Sequence, residues 1–319
     1  MATSHTTAAL EPGAEAAPER FLTRVSLQLP HRLRRLPLHV TILVICALWL
    51  VPTLALLVSS FRDPSDITRS GWWEALKRPL DLTLNNYDEV LSQRNMGRSF
   101  VNSLIITVPS TMLVVLVAAF AGYAFAWMRF PGRNVLFLIM VAMLVVPLQM
   151  TLIPILRVYT QLRVETDLPL LGGNLFGTGS FTAMWLAHTG YGLPFAVFLL
   201  RNFFGALPRD LAESAYLDGA SDWLVFRRIV LPLSVPALAA LTIFQFLWVW
   251  NDLLIALVYL GDPNLVPMTV TIQSLVSSFG TQYQLLTAAA FVSMALPLVI
   301  FFALQRYFVQ GILAGAVKG

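Results

Sequence analysis

The sequence predicts an all-α protein with six membrane-spanning helices, and three observations support this fold class. The chain of 319 residues is 57% hydrophobic and only 12% charged, with a mean hydropathy of +0.72. A soluble domain of this size would need far more polar surface. The apolar residues also collect in six runs, each long enough for a helix to cross a hydrocarbon core of about 30 Å. In lipid a helix satisfies its own backbone hydrogen bonds.

The six predicted helices divide the chain into a simple order of segments. A tail over 1–37 precedes the first helix at 38–61, and a loop over 62–98 follows it. A core of five helices occupies 99–308, and a short tail over 309–319 ends the chain. Prolines inside membrane helices are tolerated and predict kinks. The core helices and their prolines are 99–127 with Pro109, 135–157 with Pro147, 181–204 with Pro194, 234–260 with Pro236, and 287–308 with Pro297.

The beginning of the chain predicts a disordered tail followed by a membrane anchor. The first 30 or so residues are rich in Ala, Glu, Pro and Thr, a composition typical of disorder. The basic cluster at 32–35 would lie against anionic headgroups. The first apolar run is longer than the core of a secretory signal and is not followed by a small-x-small cleavage site. We therefore predict an uncleaved helix, and its lone Cys46 excludes an intramolecular disulfide.

The distribution of Lys and Arg predicts which side of the membrane each segment occupies. If both termini are cytoplasmic, thirteen of the 21 basic residues lie on cytoplasmic segments. The remaining eight then lie outside, where six acidic residues balance the first loop. This moderate positive-inside bias favours a multi-pass protein with both termini in the cytoplasm.

The residues needed for an independent catalytic or metal site are not found. A phosphate-binding loop requires Lys followed by Ser or Thr, but Lys77 precedes Arg78 and Lys318 precedes Gly319. The four histidines form no zinc-binding pattern, so we predict neither an enzyme nor a bound cofactor or metal. The alternative is a stand-alone secondary carrier or channel, for which His188 and Asp252 are the ionisable candidates within the helices.

Structural roles for these two residues are the simpler explanation. We expect the His188 imidazole to bond to a neighbouring carbonyl, because buried polar groups are usually hydrogen-bonded. We expect Asp252 to lie in water at the outer membrane boundary or to bond across helices. Neither residue is therefore assigned to transport.

One polar loop, at about 205–233, separates the fourth and fifth helices and predicts a helix-turn-helix. Pro208 suits a first helical position, and Gly219 suits the left-handed position that ends a helix. Ser221 or Asp222 can cap a second helix, which Pro232 would stop or kink. Four arginines and four acidic residues balance in this loop, so a nucleic-acid-binding face is not favoured. Small residues beside large apolar ones instead indicate a surface that enters a partner's cleft.

The spacing in this loop resembles a known motif. Glu213-Ser-Ala215, Gly219 three residues later, and Ile229-Val-Leu231-Pro232 are similar to the EAA loop, E-A-A-x3-G-x9-I-x-L-P, of permease subunits in ATP-binding-cassette (ABC) importers. Ser214 replaces the usual second alanine. Further resemblances at 102–104, 123–125, 129–132, 217–220, 250–252 and 305–306 extend over about 230 residues of the chain. The ending at 311–319 resembles carbohydrate permeases of the maltose-transporter G-subunit type, and its α-glucoside branch in particular.

The resemblance implies a MetI-like fold in a bacterial cytoplasmic membrane and a transport complex with several subunits. The implied partners are a second, maltose-transporter F-subunit-like permease, an ABC ATPase dimer that uses ATP and Mg, and an extracytoplasmic sugar-binding protein. The loop residues that would couple this chain to the ATPase are Glu213, Ser214, Ala215, Tyr216, Leu217, Asp218, Gly219, Ala220, Trp223, Ile229, Leu231 and Pro232. The tail residues Gly315, Lys318 and Gly319 would form a second contact with it.

The sequence alone does not identify the sugar-binding residues. The loop at 158–180 would reach the binding protein or serve as a flexible connector, and both interpretations stay open. Six polar or aromatic residues of the helices could contact sugar or could equally pack helices together. They are Gln149, Trp185, Tyr191, Gln245, Trp248 and Asn251.

Overall fold

The computed structural model describes residues 36–162, 164–165, 174–278 and 282–316. The predicted disordered tail, the basic cluster at 32–35, Lys318 and Gly319 lie outside these residues. The chain divides into two compact units, Met1–Val51 and Pro52–Gly319, with the boundary inside the first helix. All packing described below belongs to the second unit.

Helices account for nearly all of the regular structure in the described part of the chain. They are α1 Leu36–Ser60, α2 Pro64–Arg69, α3 Asn85–Asp88, α4 Met96–Trp127, α5 Arg133–Ala142, α6 Leu148–Gln161, α7 Phe181–Gly205, α8 Asp210–Leu217, α9 Asp222–Val225, α10 Leu231–Leu233, α11 Val235–Trp250, α12 Leu254–Tyr259, α13 Met268–Ser278 and α14 Tyr283–Ala316. A two-stranded antiparallel ribbon, β1 Val164–Glu165 with β2 Asn174–Phe176, is the one departure from the predicted all-α class among these residues. It lies within the loop predicted at 158–180.

Four of the six predicted spans are single helices that are long and apolar enough to cross a membrane. These are α1, α4, α7 and α14 up to Gln305. The predicted helix at 135–157 is broken, because α5 and α6 meet at 105°, and the predicted helix at 234–260 begins at a 74° bend between the α9–α10 segment and α11. The described residues thus hold four single-helix spans, or up to six if each bent pair crosses the membrane once.

The bend between α5 and α6 occurs at Pro147. Val146 is extended, with φ −72° and ψ 117°, which is the conformation that a following proline favours. Pro147 then begins α6 without needing an N–H partner. Of the other prolines predicted to mark kinks, Pro109, Pro194 and Pro297 lie inside continuous helices, whereas Pro236 lies in the first turn of α11.

The end of the fifth predicted span also differs from a continuous helix. α11 ends at Trp250 and α12 begins at Leu254. The Asp252 carboxylate accepts hydrogen bonds from the N–H groups of Ile255 and Ala256, at 3.4 and 3.2 Å. Asp252 therefore caps a new helix.

The C-terminal tail predicted at 309–319 is helical in its described part. α14 continues without a break to Ala316 and includes Gly315. The chain holds no proline after Pro297 that would stop the helix, and Ala and Leu alternate with its glycines. The described part of this tail is therefore helical as far as Ala316.

Close packing of α4 against α7 forms the centre of the bundle. At Gly122 an added Cβ would lie 3.0 Å from the Leu200 Cβ and 3.2 Å from the Arg201 nitrogen, so glycine permits this approach. Polar contacts fix the other end of α4, where Asn102 donates to the Asn264 and Val266 carbonyls at 2.8 and 3.1 Å. The segment before α13 is thereby held to α4.

The segment at 62–98 has ordered structure of its own. Buried Asn86 donates to the carbonyls of Ser60 and Arg62, both at 2.9 Å. The Ser60 and Tyr87 hydroxyls lie 2.7 Å apart. These bonds hold α3 against the end of α1.

Candidate coupling surface

The loop at 205–233 folds as the predicted helix-turn-helix, which we call the elbow. α8 and α9 form its two arms, and a π-helical turn at Phe226–Val230 leads through α10 into α11. The bend at the start of α11 follows Pro232, as predicted. Pro208, however, lies before the helix, because the Arg209 carbonyl accepts the first helical bonds from Ala212 and Glu213, both at 2.9 Å.

Glycine and serine set the turn between the two arms. Gly219 has φ +82°, a left-handed conformation that suits glycine. Its N–H donates to the Tyr216 carbonyl at 3.0 Å, and the Ala220 N–H donates to the Ala215 carbonyl at 2.9 Å, the two bonds of a Schellman ending. The Ser221 Oγ then accepts from the Leu224 N–H at 3.4 Å. The sequence prediction for this turn is confirmed, with Ser221 as the cap.

The inner side of the elbow is anchored to α4 by aromatic packing. The Phe226 side chain is 3% exposed, and its ring centroid lies 5.0 Å from that of Tyr123 and 5.3 Å from that of Phe120. Trp223 stacks on Phe120 at 6.2 Å. Partly buried Ala215, Ala220, Ile229 and Leu231 pack against the same core. A displacement of the elbow therefore acts directly on a membrane helix.

A hydrogen-bonded cluster joins both arms of the elbow to α4. The Tyr216 hydroxyl donates to Asp222 Oδ1 at 2.7 Å, and the Tyr123 hydroxyl donates to the Asp222 carbonyl at 3.1 Å. Burial raises the pKa of the Tyr216 hydroxyl, and its hydrogen bonds with Tyr123 and Asp222 raise it further. Tyr216 is therefore a protonated donor at neutral pH.

Removing the Tyr216 hydroxyl should loosen the elbow modestly. We expect Tyr216→Phe to lower the free energy of unfolding by about 1 kcal/mol. The lost hydrogen bond is to a carboxylate, but its contribution is reduced because the pair is partly exposed to water. The measurement is the thermal unfolding temperature of the purified protein, and Tyr283→Phe on an exposed hydroxyl of α14 is the matched control. Equal unfolding temperatures for the two variants would contradict a bracing role for Tyr216.

The outer side of the elbow presents apolar side chains to the surroundings. Leu217 is 90% exposed at the tip of α8, and Leu211, Tyr216 and Trp223 are each at least 40% exposed. The Glu213 carboxylate makes no hydrogen bond or ion pair within the described chain. Ser214, Asp218, Gly219 and Pro232 are exposed as well. Exposed apolar side chains at the tip of a polar segment are typical of an interaction surface. Two of the predicted coupling residues, Ile229 and Leu231, lie instead on the inner side of the elbow.

The six candidate sugar contacts separate into two groups. Trp185 donates to the Ile105 carbonyl at 2.7 Å, and the Asn251 amide donates to the Leu247 carbonyl at 2.7 Å, so both have structural partners. Gln149 is exposed on α6. The structure brings the remaining three together at one cavity between α7 and α11, which is lined by Tyr191, Gln245 and Trp248 among others.

His188 and Asp252 lie close together, and only Asp252 forms a contact expected from sequence. His188 is fully buried, and neither ring nitrogen has a hydrogen-bond partner in the described chain, so the expected carbonyl bond is wrong. His188 Nε2 lies 3.8 Å from Asp252 Oδ2. The Asp252 carboxylate bonds within its own segment, and the Asp252 carbonyl accepts a hydrogen bond from the Thr269 hydroxyl of α13 at 2.6 Å, so the expected bond across helices is present. The described residues contain no group of three or more His, Cys, Asp or Glu that could hold a metal ion.

Sequence comparison relates most of the chain to transport proteins. Residues 98–314 match the family described as "Binding-protein-dependent transport system inner membrane component". The chain is 52% identical to the osmoprotective compounds uptake permease protein GgtD of Synechocystis sp., over 89% of this chain and 93% of that protein. It is 40% identical to the alpha-glucoside transport system permease protein AglG of Rhizobium meliloti, over 90% and 99% of the two chains.

Structural comparison supports the same fold. A crystal structure of a bacterial alginate ABC transporter in complex with an alginate pentasaccharide-bound periplasmic protein includes a similar chain, with a TM-score of 0.59. The match covers 85% of this chain and 93% of that one at 16% identity. At this identity the similarity establishes the fold alone.

Proposed function

This chain belongs to the family of binding-protein-dependent transport system inner membrane components, and from this membership we propose that it forms half of the pathway of an ABC importer for a carbohydrate. The second half would be another permease. An ATPase dimer, which binds ATP and Mg, would drive the cycle, and an extracytoplasmic binding protein would deliver the sugar. The observation that carries the proposal is the elbow, whose apolar tip is exposed while its inner side is locked to α4.

The elbow has the properties that energy coupling requires. Leu217 and its neighbours would enter a cleft of the ATPase, and Glu213 would pair with a basic residue there. Gly219, with no side chain, allows close approach. Coupling is a free-energy difference between inward-facing and outward-facing states, so a docked elbow matters only if its position differs between them. This role requires the elbow and both termini to lie in the cytoplasm, where Gly315, Lys318 and Gly319 would provide a second contact.

Two observations support a carbohydrate as the transported solute. The C-terminal resemblance points to the α-glucoside branch, and AglG, at 40% identity, is named for alpha-glucoside transport. We therefore propose an oligosaccharide or an α-glucoside-like sugar as the substrate class.

Reconstitution in liposomes tests whether transport requires the other proposed subunits. The chain alone in liposomes should not accumulate labelled α-glucosides, because its sequence has no phosphate-binding loop with which to hydrolyse ATP. The complex with the second permease, the ATPase and the loaded binding protein should accumulate them when ATP is supplied. Omitting the ATPase from the same liposomes is the control. Accumulation by the chain alone would favour the secondary carrier, with His188 and Asp252 as its ionisable pair.

A further inference from the structure

A cavity of about 270 Å³ lies between α7 and α11, and we call it the α7–α11 cavity. Gly192 lies about 16 Å along α7 and Gln245 about 15 Å along α11, at a rise of about 1.5 Å per residue. Both positions are well inside the predicted spans. Small-molecule sites usually measure roughly 300–1,000 Å³, so this cavity suits one ring of a larger solute.

Gln245 gives the cavity a polar group that the protein leaves unused. Its side chain is 5% exposed, and the amide nitrogen has no hydrogen-bond partner among the described residues. Gly192 makes room for this amide, because an added Cβ would lie 2.7 Å from Nε2 and 2.8 Å from Oε1. A buried amide without a partner is unfavourable, so its retention indicates a partner that arrives from outside the chain.

Aromatic side chains form the walls around this amide. Tyr191, Phe195, Phe244 and Trp248 line the cavity, and the last three are each more than a third exposed, so the cavity opens between them. The edge of the buried His188 ring meets Trp248 at 90°, with centroids 5.5 Å apart. Tyr191 is fixed by hydroxyl contacts with Thr151 at 2.8 Å and Tyr259 at 3.2 Å. Tyr191 and Trp248 are therefore held in place before any ligand enters.

We propose that the α7–α11 cavity binds one sugar ring of the transported carbohydrate as it crosses the membrane. The apolar C–H face of a pyranose packs against Trp248 or Phe244, and a ring hydroxyl accepts a hydrogen bond from the Gln245 amide nitrogen. This combination of aromatic walls and one placed polar group is typical of ligand sites. A lipid acyl chain packs against the same aromatic side chains equally well, but it has no oxygen or nitrogen atom that accepts a hydrogen bond from the Gln245 amide. The inference rests on the proposed carbohydrate substrate and assigns it to particular residues of this chain.

The Gln245→Leu substitution tests the hydrogen bond in the complete transporter. The complex, with its second permease, ATPase and binding protein, is reconstituted in liposomes with radiolabelled sucrose, trehalose or maltose as the probe. Because Leu removes an unpartnered buried amide, the unfolding temperature should stay the same or rise. ATP hydrolysis stimulated by the loaded binding protein should be unchanged. The sugar taken up per ATP should fall about tenfold, the effect of losing one hydrogen bond.

The Trp248 variants test the aromatic wall. Trp248→Leu should lower the sugar taken up per ATP at least as much as Gln245→Leu, whereas Trp248→Phe should retain most of it. Phe198→Leu is the control, since Phe198 lies on α7, is partly exposed and stacks on Phe137 outside the cavity. It should leave the uptake per ATP unchanged.

The outcomes separate this inference from the proposed function. If the wild-type complex transports a disaccharide and Gln245→Leu transports it with the same yield per ATP, the cavity holds lipid and the inference is wrong. If uptake and ATP hydrolysis fall in proportion, Gln245 has a structural role and the inference is also wrong. If the wild-type complex hydrolyses ATP but accumulates none of the three sugars, the carbohydrate assignment itself fails, and the sugar site fails with it.

Discussion

Leu217→Glu is expected to abolish association of the ATPase and, with it, sugar uptake, while this chain stays folded. Leu217 is 90% exposed, so its side chain contributes almost nothing to the stability of the isolated chain. Burying a leucine in a partner contributes about 1.5–3 kcal/mol, and burying an unpaired carboxylate costs several kcal/mol more. Together these changes weaken docking by more than about 100-fold.

The matched control is Leu80→Glu in the segment at 62–98. Leu80 is 96% exposed, and the charge distribution predicts that it lies on the opposite side of the membrane. Copurification of the ATPase with the tagged permease, followed by uptake in liposomes, measures the effect. ATPase recovery should be lost for Leu217→Glu and retained for Leu80→Glu. Full ATPase recovery with Leu217→Glu would show that the ATPase docks elsewhere.

The elbow was predictable from sequence because its signals are local. A left-handed turn needs a residue such as glycine, and a helix start needs a side-chain acceptor, so Gly219 and Ser221 could be placed without knowledge of the fold. The spacing from Glu213 to Pro232 then indicated a family. The role of Tyr123 was less predictable, because its contact with Asp222 joins residues 99 positions apart.

The interruptions of the membrane helices depend on tertiary structure. Pro109 and Pro147 both occur in long apolar runs, yet α4 continues through Pro109 and the chain bends by 105° at Pro147. Neighbouring helices decide which freed backbone groups find partners. The sequence around the two prolines does not contain that information.

Which residues of α7 and α11 face the α7–α11 cavity also depends on the rotation of each helix about its own axis. α7 and α11 are apolar on nearly every side, so their sequences do not define an inward face as an amphipathic helix would. Six residues were therefore equivalent candidates, and only the structure shows that Tyr191, Gln245 and Trp248 face one cavity. The expected hydrogen bond from the His188 imidazole to a carbonyl is absent. Most buried polar groups have a hydrogen-bond partner, but this general tendency does not decide the case of one side chain.

Phe226→Ala is expected to detach the elbow from the membrane helices while leaving its docking tip intact. Phe226 contacts Phe120, Tyr123 and Trp223 with ring centroids within 5.7 Å. Removing a buried phenylalanine side chain costs about 3–5 kcal/mol. The unfolding temperature of the purified complex should fall accordingly. Phe302→Ala, at a 62% exposed position of α14, should change the stability by less than about 0.5 kcal/mol.

The two elbow substitutions separate docking from transmission. Leu217→Glu removes the contact with the ATPase, whereas Phe226→Ala should still recover the ATPase because Leu217 and Glu213 remain on the outer side. If the aromatic anchor transmits motion to α4, Phe226→Ala should hydrolyse ATP but take up less sugar per ATP, measured below its unfolding temperature. An unchanged yield of sugar per ATP would mean that force reaches the pathway through α11 alone, since α10 joins the elbow to that helix directly.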